Sequence, residues 1–303
     1  MAVKPFEQAN FNLTSFSEAY NDLFDSTPKD VQIDLKDTNG NVITKTIANR
    51  GKFKQQLWDD VGGALGQFER TFHVDATDGN DTNDGSSTHP FKTLKKAISS
   101  APSGSNATII LSPNQTHYID SDIGIVHKNI HIEAQNAIIE NVSFQLKING
   151  TFYNATHGFF ISNSFVFIHN GTIKTADRIN DQNGNLLSRS IWEGIARRQD
   201  ISFGALKLFR TNVNLGDTPL IRRSTGSFAV DLHINANTIN NVGTNNDAPL
   251  IYNELGDFRF SAYNVTLGTK IDGTTNLTWS DLVKGVIKDS NGVPRNVISN
   301  IVF

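Results

Sequence analysis

The chain of 303 residues contains no cysteine, which excludes a disulfide framework, thiol chemistry and cysteine-ligated metals. Tryptophan and tyrosine are also scarce, at three and five residues, whereas phenylalanine occurs twenty times. Sugar-binding platforms favour tryptophan and tyrosine, whose rings combine an apolar face with a polar group. This composition therefore argues against a large aromatic cleft for a glycan.

Charge and hydropathy exclude further classes of protein. The formal net charge is −3 and no basic run occurs, so no nucleic-acid surface is expected. No apolar run reaches the length of a membrane span, and residues 1–7 lack the apolar region of a signal peptide. These absences predict synthesis and folding in a cytoplasm, without membrane insertion. Phosphate-binding, dinucleotide and zinc-protease motifs are missing too, so no cofactor is predicted.

Residues 1–70 have a pattern of their own. Ser15–Glu18 has the form of a capping box and predicts a helix over 16–24. Apolar and polar residues then alternate over 31–36 and 42–47, on either side of Asn39-Gly40. Asparagine-glycine between two alternating segments is a strong hairpin signal. The pattern predicts a small α+β head.

A second helix is predicted over 53–68, where apolar residues recur every three or four positions. Such a stripe packs either against the same chain or against identical helices in a bundle. We expect it to form an oligomer interface of three chains. The predicted interface residues are Phe53, Leu57, Val61, Leu65 and Phe68.

Residues 71–104 read as a strand, a tight loop and a helix. Polar and apolar residues alternate over Thr71–Asp75, as in a strand. The loop 78–85 is rich in glycine, asparagine and aspartate, and Pro90 suits the first turn of a helix. Phe91, Leu94 and Ile98 then share one helix face. A single strand and helix cannot bury these faces alone, so the segment must cover something that follows.

From residue 105 the chain consists of short apolar strands separated by asparagine-containing turns. Similar segments at 148–152 and 169–173 lie 21 residues apart, and Asn212, Asn237 and Asn264 follow one another at 25 and 27. One circuit of a parallel β-helix needs about this length. We therefore predict a right-handed parallel β-helix of about seven to nine coils over residues 105–303, with asparagines partly stacked at the turns.

The pattern also predicts the stacking and the filling of the coil. Strands at 165–169, 206–210, 228–232 and 258–262 are expected to lie in register. Stacked phenylalanines are expected to fill the interior: Phe144, Phe152, Phe165, Phe167, Phe258 and Phe260. Residues 286–292 repeat the hairpin turn and are expected to close the open end of the β-helix.

An insertion is predicted at 177–202, because the step from Asn170 to Asn212 is 42 residues, too long for one coil. Ser190–Glu193 has capping-box form and predicts a short helix toward Arg198. We expect the insertion to leave the wall and to contact a neighbouring subunit or a ligand, with Trp192 as its apolar anchor.

The best candidate site lies in and just after this insertion. Glycosidases need two carboxyl groups across one bond, and Glu193, Asp200 and Asp217 are the candidates. Ordinary surface charge is the alternative, and we favour it. The predicted ligand-binding residues are Trp192, Arg197, Arg222 and Arg223.

A metal site is the remaining possibility. Asp78, Asp81 and Asp84 lie in one loop and could bind calcium. The loop lacks the spacing and the terminal glutamate of an EF-hand, so no metal is predicted.

Residues 71–98 resemble the N-terminal cap of right-handed parallel β-helix proteins of the pectate-lyase-like class. The whole layout, a small head followed by this cap and a β-helix, resembles bacteriophage tail fibres and tailspikes. The resemblance implies a homotrimeric virion protein, attached to phage tail proteins through residues 1–70, whose β-helix meets host surface polysaccharide. A polysaccharide lyase or glycoside hydrolase on the same scaffold is the alternative, and a cellular adhesin is a third.

Overall fold

The computed structural model describes residues 31–36, 42–47, 69–190, 192–197, 204–223, 230–235, 238–244, 249–254 and 257–303. The chain divides into two compact units, residues 1–67 and 68–303. In the first unit, β1 (Val31–Lys36) and β2 (Val42–Ile47) form an antiparallel pair, which confirms the predicted hairpin. The predicted helices over 16–24 and 53–68, with the stripe from Phe53 to Phe68, lie outside the described residues.

The second unit consists mainly of short strands in three parallel sheets. Sheet 1 contains β3 (Glu69–Val74), β4 (Asn106–Leu111), β7 (Asn129–Glu133), β12 (Ser164–His169), β16 (Gly204–Phe209), β19 (Val230–Asn235), β22 (Phe258–Ala262) and β25 (Val297–Ser299). Sheet 2 contains β5 (Thr116–Ile119), β8 (Ile138–Asn141), β13 (Thr172–Lys174), β17 (Asn212–Leu215), β20 (Thr238–Asn241) and β23 (Thr266–Leu267). Sheet 3 contains β6 (Ile123–Val126), β11 (Phe159–Ser162), β15 (Ala196–Arg197), β18 (Ile221–Arg223), β21 (Ile251–Asn253) and β24 (Val283–Lys284).

The chain visits the three sheets in a fixed order. After β6 in sheet 3 it adds β7 to sheet 1 and β8 to sheet 2, and the coils that begin at β11, β15, β18 and β21 repeat this circuit. Every sheet is parallel and grows in chain order, which is the strand arrangement of a parallel β-helix. Among the described residues, seven of the eight strands of sheet 1 follow residue 105, which is consistent with the predicted seven to nine coils. Parallel crossovers favour right-handed winding, so the right hand of the coil remains our expectation.

The interior is built from columns of aliphatic side chains, one per coil. In sheet 1, Ile132, Ile168, Leu208 and Ile234 lie opposite one another on successive strands, and all four are fully buried. Burying each such side chain stabilises the fold by about 1.5–3 kcal/mol. The stacked columns therefore hold consecutive coils together in addition to their backbone hydrogen bonds.

The predicted strands of sheet 1 are present, and each begins within two residues of its expected start. Val166, Leu206, Leu232 and Phe260 form one register column. The last two steps of this column are 26 and 28 residues, one residue longer than the spacing of the asparagines. Asn212 and Asn264 do not occupy equivalent positions, because Asn212 begins β17 whereas Asn264 lies two residues before β23.

One corner of the coil uses left-handed backbone angles. Five residues lie two positions before a strand of sheet 2 and have φ between 48° and 67°: Asn114, Asn136, Asn170, Arg210 and Asn264. Asparagine adopts this region more readily than most residues. The predicted turn role is therefore confirmed for Asn170 and Asn264. Asn212 instead begins β17, and Asn237 lies outside the described residues.

The segment 148–152 is not a coil, so the 21-residue repeat was wrong. β9 (Ser143–Ile148) and β10 (Thr151–Thr156) form an antiparallel hairpin whose turn is Asn149-Gly150, with φ of 49° and 86°. Two successive positive φ angles suit a two-residue hairpin turn, and the Asn-Gly sequence already indicated it. With β14 (Ser188–Arg189), which pairs parallel to β10, the hairpin forms a separate side sheet.

The prediction that stacked phenylalanines fill the interior was wrong for most of them. Phe258 and Phe260 are buried as expected. Phe165 and Phe167 instead alternate with the buried Val166 and Ile168, so they lie on the outer face of sheet 1. Phe144 and Phe152 belong to the side hairpin. Aliphatic residues fill the interior at these levels because the period of two assigns the aromatic positions to the other face.

After β13 ends at Lys174, the predicted insertion contributes β14 to the side sheet. Sheet 3 resumes at β15, which begins at Ala196, so the wall returns before residue 202. The predicted helix after Ser190 was wrong. Gly194 has a φ of 109°, and the chain enters a strand two residues later. Contact of the insertion with a subunit or ligand stays a prediction.

Both ends of the described coil carry a covering element. At the N-terminal end, α1 (Leu94–Ser100) begins at the cap residue Thr93 and buries Leu94, Ala97 and Ile98. At the C-terminal end, α2 (Trp279–Leu282) places the Trp279 ring 5.4 Å from that of Phe260. In the described ranges, neither helix is long or apolar enough to cross a membrane.

Candidate functional site

The predicted catalytic residue Glu193 lies in a buried ion network. Its carboxylate is fully buried and accepts hydrogen bonds from Asn154 Nδ2 at 2.9 Å, Arg189 Nη1 at 3.2 Å and Arg222 Nη1 at 3.3 Å. Burial raises the pKa of Glu193, while the positive charge of Arg189, the Asn154 hydrogen bond and the Arg222 charge act in the opposite direction. The network joins the hairpin, the insertion and β18.

Arg222 extends this network to the next coil. Its side chain is 5% exposed, and its Nη2 donates to Glu254 Oε1 at 2.6 Å. The guanidinium carbon lies 4.7 Å from the centre of the Tyr252 ring, a cation–π contact. Arg222 therefore links a fully buried carboxylate to one near the surface.

The predicted catalytic residue Asp217 does not join Glu193 at a surface cleft. Asp217 is fully buried and accepts hydrogen bonds from the backbone nitrogen of Thr244 at 2.9 Å and from its Oγ1 at 2.7 Å. Asp200 lies outside the described residues. Glu193 and Asp217 are thus bonded within the fold, and neither is placed where a polymer could reach it.

The predicted binding residues cluster around sheet 3. Trp192 is 42% exposed, with its ring edge-on to Phe160 at 6.4 Å. Arg222 is buried in the ion network. Arg197 lies opposite Phe160 in β15, and Arg223 lies opposite Asn253 in β18. The structure therefore brings Trp192, Glu193 and Arg222 into one region, in which Trp192 is exposed.

The acidic loop of the N-terminal cap uses its carboxylates to hold backbone amides. Asp81 accepts hydrogen bonds from the amides of Lys92 and Thr93, both at 2.9 Å, and from Thr93 Oγ1 at 2.8 Å. Asp84 accepts from the amide of Ser86 at 2.9 Å. In the part of the chain that the structure describes, Asp78, Asp81 and Asp84 form no group of metal-ligating side chains. Asp81 instead fixes the start of α1.

The outer face of sheet 1 carries a group of rings, here called the ring cluster: His131, Phe165, Phe167, His169 and Phe209. His131 stacks on Phe167 with ring centres 5.2 Å apart and planes 8° from parallel. His169 lies 4.6 Å from Phe167, and Phe209 meets His169 edge-on at 5.6 Å. Phe165 is 38% exposed. The rings follow one another along three successive strands, β7, β12 and β16.

Two cations lie over the ring cluster. Lys207 Nζ is 5.5 Å from the centre of Phe165 and 5.8 Å from that of Phe167. The Arg210 guanidinium carbon is 5.2 Å from the centre of Phe209. Burial lowers the pKa of His169, with the Glu133 charge raising it and His131 lowering it. The cluster therefore combines apolar rings with fixed positive charge.

Sequence reasoning missed the ring cluster, although the signal was present. Burial alternates strictly along Ser164–His169. One face of the strand carries Val166 and Ile168, and the other carries Phe165, Phe167 and His169. Either face could be the interior on periodicity alone. The choice depends on the neighbouring coils, which supply aliphatic residues at the inner positions.

A polar row lies on the outer face of sheet 2. Lys174 Nζ donates to Glu140 Oε1 at 2.9 Å, and the two residues are opposite one another on β13 and β8. Desolvation, followed by the negative charge of Asp217, raises the pKa of the nearby Asp177. Asp177 is exposed, so it is a carboxyl group that a surface ligand could reach.

Comparison with known proteins gives one partial match. Residues 77–124 match the family described as "Protein of unknown function (DUF1565)". The matched segment begins in the acidic loop and continues through α1 and the strands β4 and β5 into β6. No curated protein and no solved structure matches the chain.

Proposed function

We propose that this chain is a virion structural protein, a homotrimeric tail fibre or tailspike of a bacteriophage. It attaches to the tail through residues 1–70 and meets the host surface with its β-helix. The observation that carries the proposal is the contrast between the buried and exposed groups of the coil. The candidate catalytic residues Glu193 and Asp217 are bonded within the wall, whereas rings and cations lie on an outer face. This arrangement favours binding over cleavage.

The strand pairing supports a mechanical role. Sheet 1 runs through eight strands, and each interior strand is hydrogen-bonded to the coil before it and the coil after it. Stacked coils of this kind are held by every neighbouring interface. Such a rod suits a spacer between a particle and a cell. Homotrimer formation through the stripe from Phe53 to Phe68 is part of the proposal.

Deleting residues 1–67 tests the attachment. The cut follows the boundary of the first unit and precedes β3, so the β-helix is left complete. We expect the shortened chain to stay folded and soluble but to be absent from purified particles. The full-length chain, supplied from the same plasmid, is the control. Incorporation of the shortened chain at the full-length level would contradict the proposal.

A polysaccharide depolymerase is the second candidate function, and Asp177 is the observation that favours it. Glycoside hydrolysis needs one carboxyl group with a raised pKa beside a second carboxylate. Asp177 is exposed, and desolvation raises its pKa, with smaller contributions from the negative charges of Asp217 and Glu140. Release of reducing ends from host polysaccharide, lost in Asp177→Asn but kept in Asp120→Asn, would replace the non-enzymatic proposal with this one.

A further inference from the structure

We propose that the outer face of sheet 1 binds an anionic polysaccharide, one that carries carboxylate or phosphate groups. Lys207 and Arg210 supply the charges that recognise it, and the ring cluster supplies the apolar contact surface. The inference rests on the proposed function, because it names the chemical class of host glycan that the β-helix would meet.

Lys207 and Arg210 have N–H groups that are available to donate hydrogen bonds to an anion. Lys207 has three N–H donors and Arg210 has five. In the ranges that the structure describes, both side chains contact ring faces and neither forms an ion pair. Ring faces attract a cation without consuming its hydrogen-bond donors. Lys207 and Arg210 are therefore held in place and can still bind an anion.

The charge of the surrounding face favours an anion. Glu133 is the carboxylate that acts on His169, and its Oε1 accepts from Asn170 Nδ2 at 2.8 Å. Its charge is thus partly satisfied within the chain. Two side chains that lie over ring faces of the cluster, Lys207 and Arg210, are both cationic, which complements a negatively charged polymer and not a neutral one.

The rings add contact surface and order. Phe165, Phe167 and Phe209 occupy two adjacent strands, and neighbouring strands are about 4.8 Å apart. The stacking of His131 on Phe167 continues the surface to a third strand. A polymer lying along the stack would therefore meet a ring or a cation at each level, which suits a repeating ligand.

The test measures binding of the full-length protein to two probes, polygalacturonate and a glycerol-phosphate teichoic acid. Fully methyl-esterified polygalacturonate is the neutral match for the first. We expect binding of at least one anionic probe, little binding of the neutral polymer, and weakening as salt is raised from about 50 to about 500 mM. Equal binding of the neutral polymer, or no binding of either anionic probe, would overturn the proposal.

The variants remove charge without disturbing the backbone. Lys207→Gln keeps a long side chain, and Arg210→Asn places asparagine at a corner where four equivalent corners already have it. The double variant is expected to bind the anionic probe at least about tenfold more weakly, because it loses both charge-assisted contacts. Lys92→Gln with Lys95→Gln, both exposed on the cap, is the matched control and should bind normally.

Two further measurements separate the possible outcomes. Light scattering of the Lys207 and Arg210 variants should show the wild-type mass. A change of mass together with no glycan binding would identify the face as a contact between copies and refute the inference. Particle incorporation of the same variants should be normal. Glycan binding by a protein that is never incorporated into particles would contradict the proposed function but support this binding site.

Discussion

Glu193 and Arg222 are 29 residues apart in the chain and form a buried ion pair, with Glu193 Oε2 3.3 Å from Arg222 Nη1. Glu193 comes from the insertion and Arg222 from sheet 3. Asn154 of the side hairpin donates to the other carboxylate oxygen. The pair therefore ties two excursions of the chain to the wall of the β-helix. Removing one partner of such a pair leaves an uncompensated buried charge, which is costly.

Replacing Glu193 by alanine should destabilise the protein strongly. Arg189 and Arg222 would lose their buried partner, and we expect the free energy of unfolding to fall by about 3 kcal/mol or more. Urea denaturation measures the change. Glu254→Ala removes the more exposed partner of Arg222 and should cost about 1 kcal/mol or less. Equal losses for the two variants would show that Glu193 has no special role in stability.

Asp75 should make the protein sensitive to strong acid. Hydrogen bonds lower its pKa from 3.8 to about 2; the backbone amide of Asp78 has the largest effect, and Ser112 and Gln115 also contribute. Because the folded-state pKa is depressed, this stabilisation is present above pH 3.8 and is lost as the pH falls toward 2. We expect Asp75→Asn to cost about 1–2 kcal/mol at pH 6 and much less at pH 2. Unfolding at both pH values checks this, and a loss of equal size at both would contradict it.

Substitutions on the two faces of β12 should lower the free energy of unfolding by very different amounts. Ile168 is fully buried in the column of Ile132 and Leu208, so Ile168→Ala should cost about 3 kcal/mol. Phe165, three residues earlier, lies on the outer face, and Phe165→Ala should cost about 1 kcal/mol or less. Thermal unfolding of both variants provides the comparison. A larger loss for Phe165→Ala would mean that the strand faces the other way.

Trp192 should matter more for contact than for folding. Its ring is exposed and touches Phe160, so Trp192→Ala should lower the free energy of unfolding by about 1 kcal/mol or less. We expect a clear loss of trimer stability or of particle adsorption to host cells. Val242→Ala, at another exposed apolar position, is the control. Unchanged trimer stability and adsorption in Trp192→Ala would leave the insertion without the role proposed for it.

The sequence predicted the coil because its period and alternation are set by local chemistry. Each circuit needs three short strands and their turns, and this requirement fixes the length of the repeat near Leu206, Leu232 and Phe260. The hairpin of the first unit was predictable for the same reason. Asn39-Gly40 between two alternating segments is a sequence signal carried by adjacent residues.

The remaining errors concern features that depend on contacts between neighbouring coils. Alternation in β12 does not show whether Phe167 or Ile168 faces inward, because this depends on which face of the adjacent strands carries the aliphatic side chains. Ser190–Glu193 has the form of a capping box, in which the Glu193 carboxylate would accept a hydrogen bond from the backbone amide of Ser190. In the structure this carboxylate instead accepts from Arg222, 29 residues along the chain. The sequence named the residues of the candidate site but not their burial. Burial depends on partners such as Asn154, which lies in a hairpin that was predicted as part of a coil.

The left-handed corner has a consequence for how such a chain can change its length. Asn114, Asn136, Asn170 and Asn264 mark equivalent points on different coils, with Arg210 as the fifth. A duplication or deletion that joins two equivalent points keeps the alternation of every following strand, because it adds or removes whole circuits. Unequal recombination at these corners could therefore lengthen or shorten the three parallel sheets by whole coils. The number of coils would then change without redesign of the elements that cover the two ends.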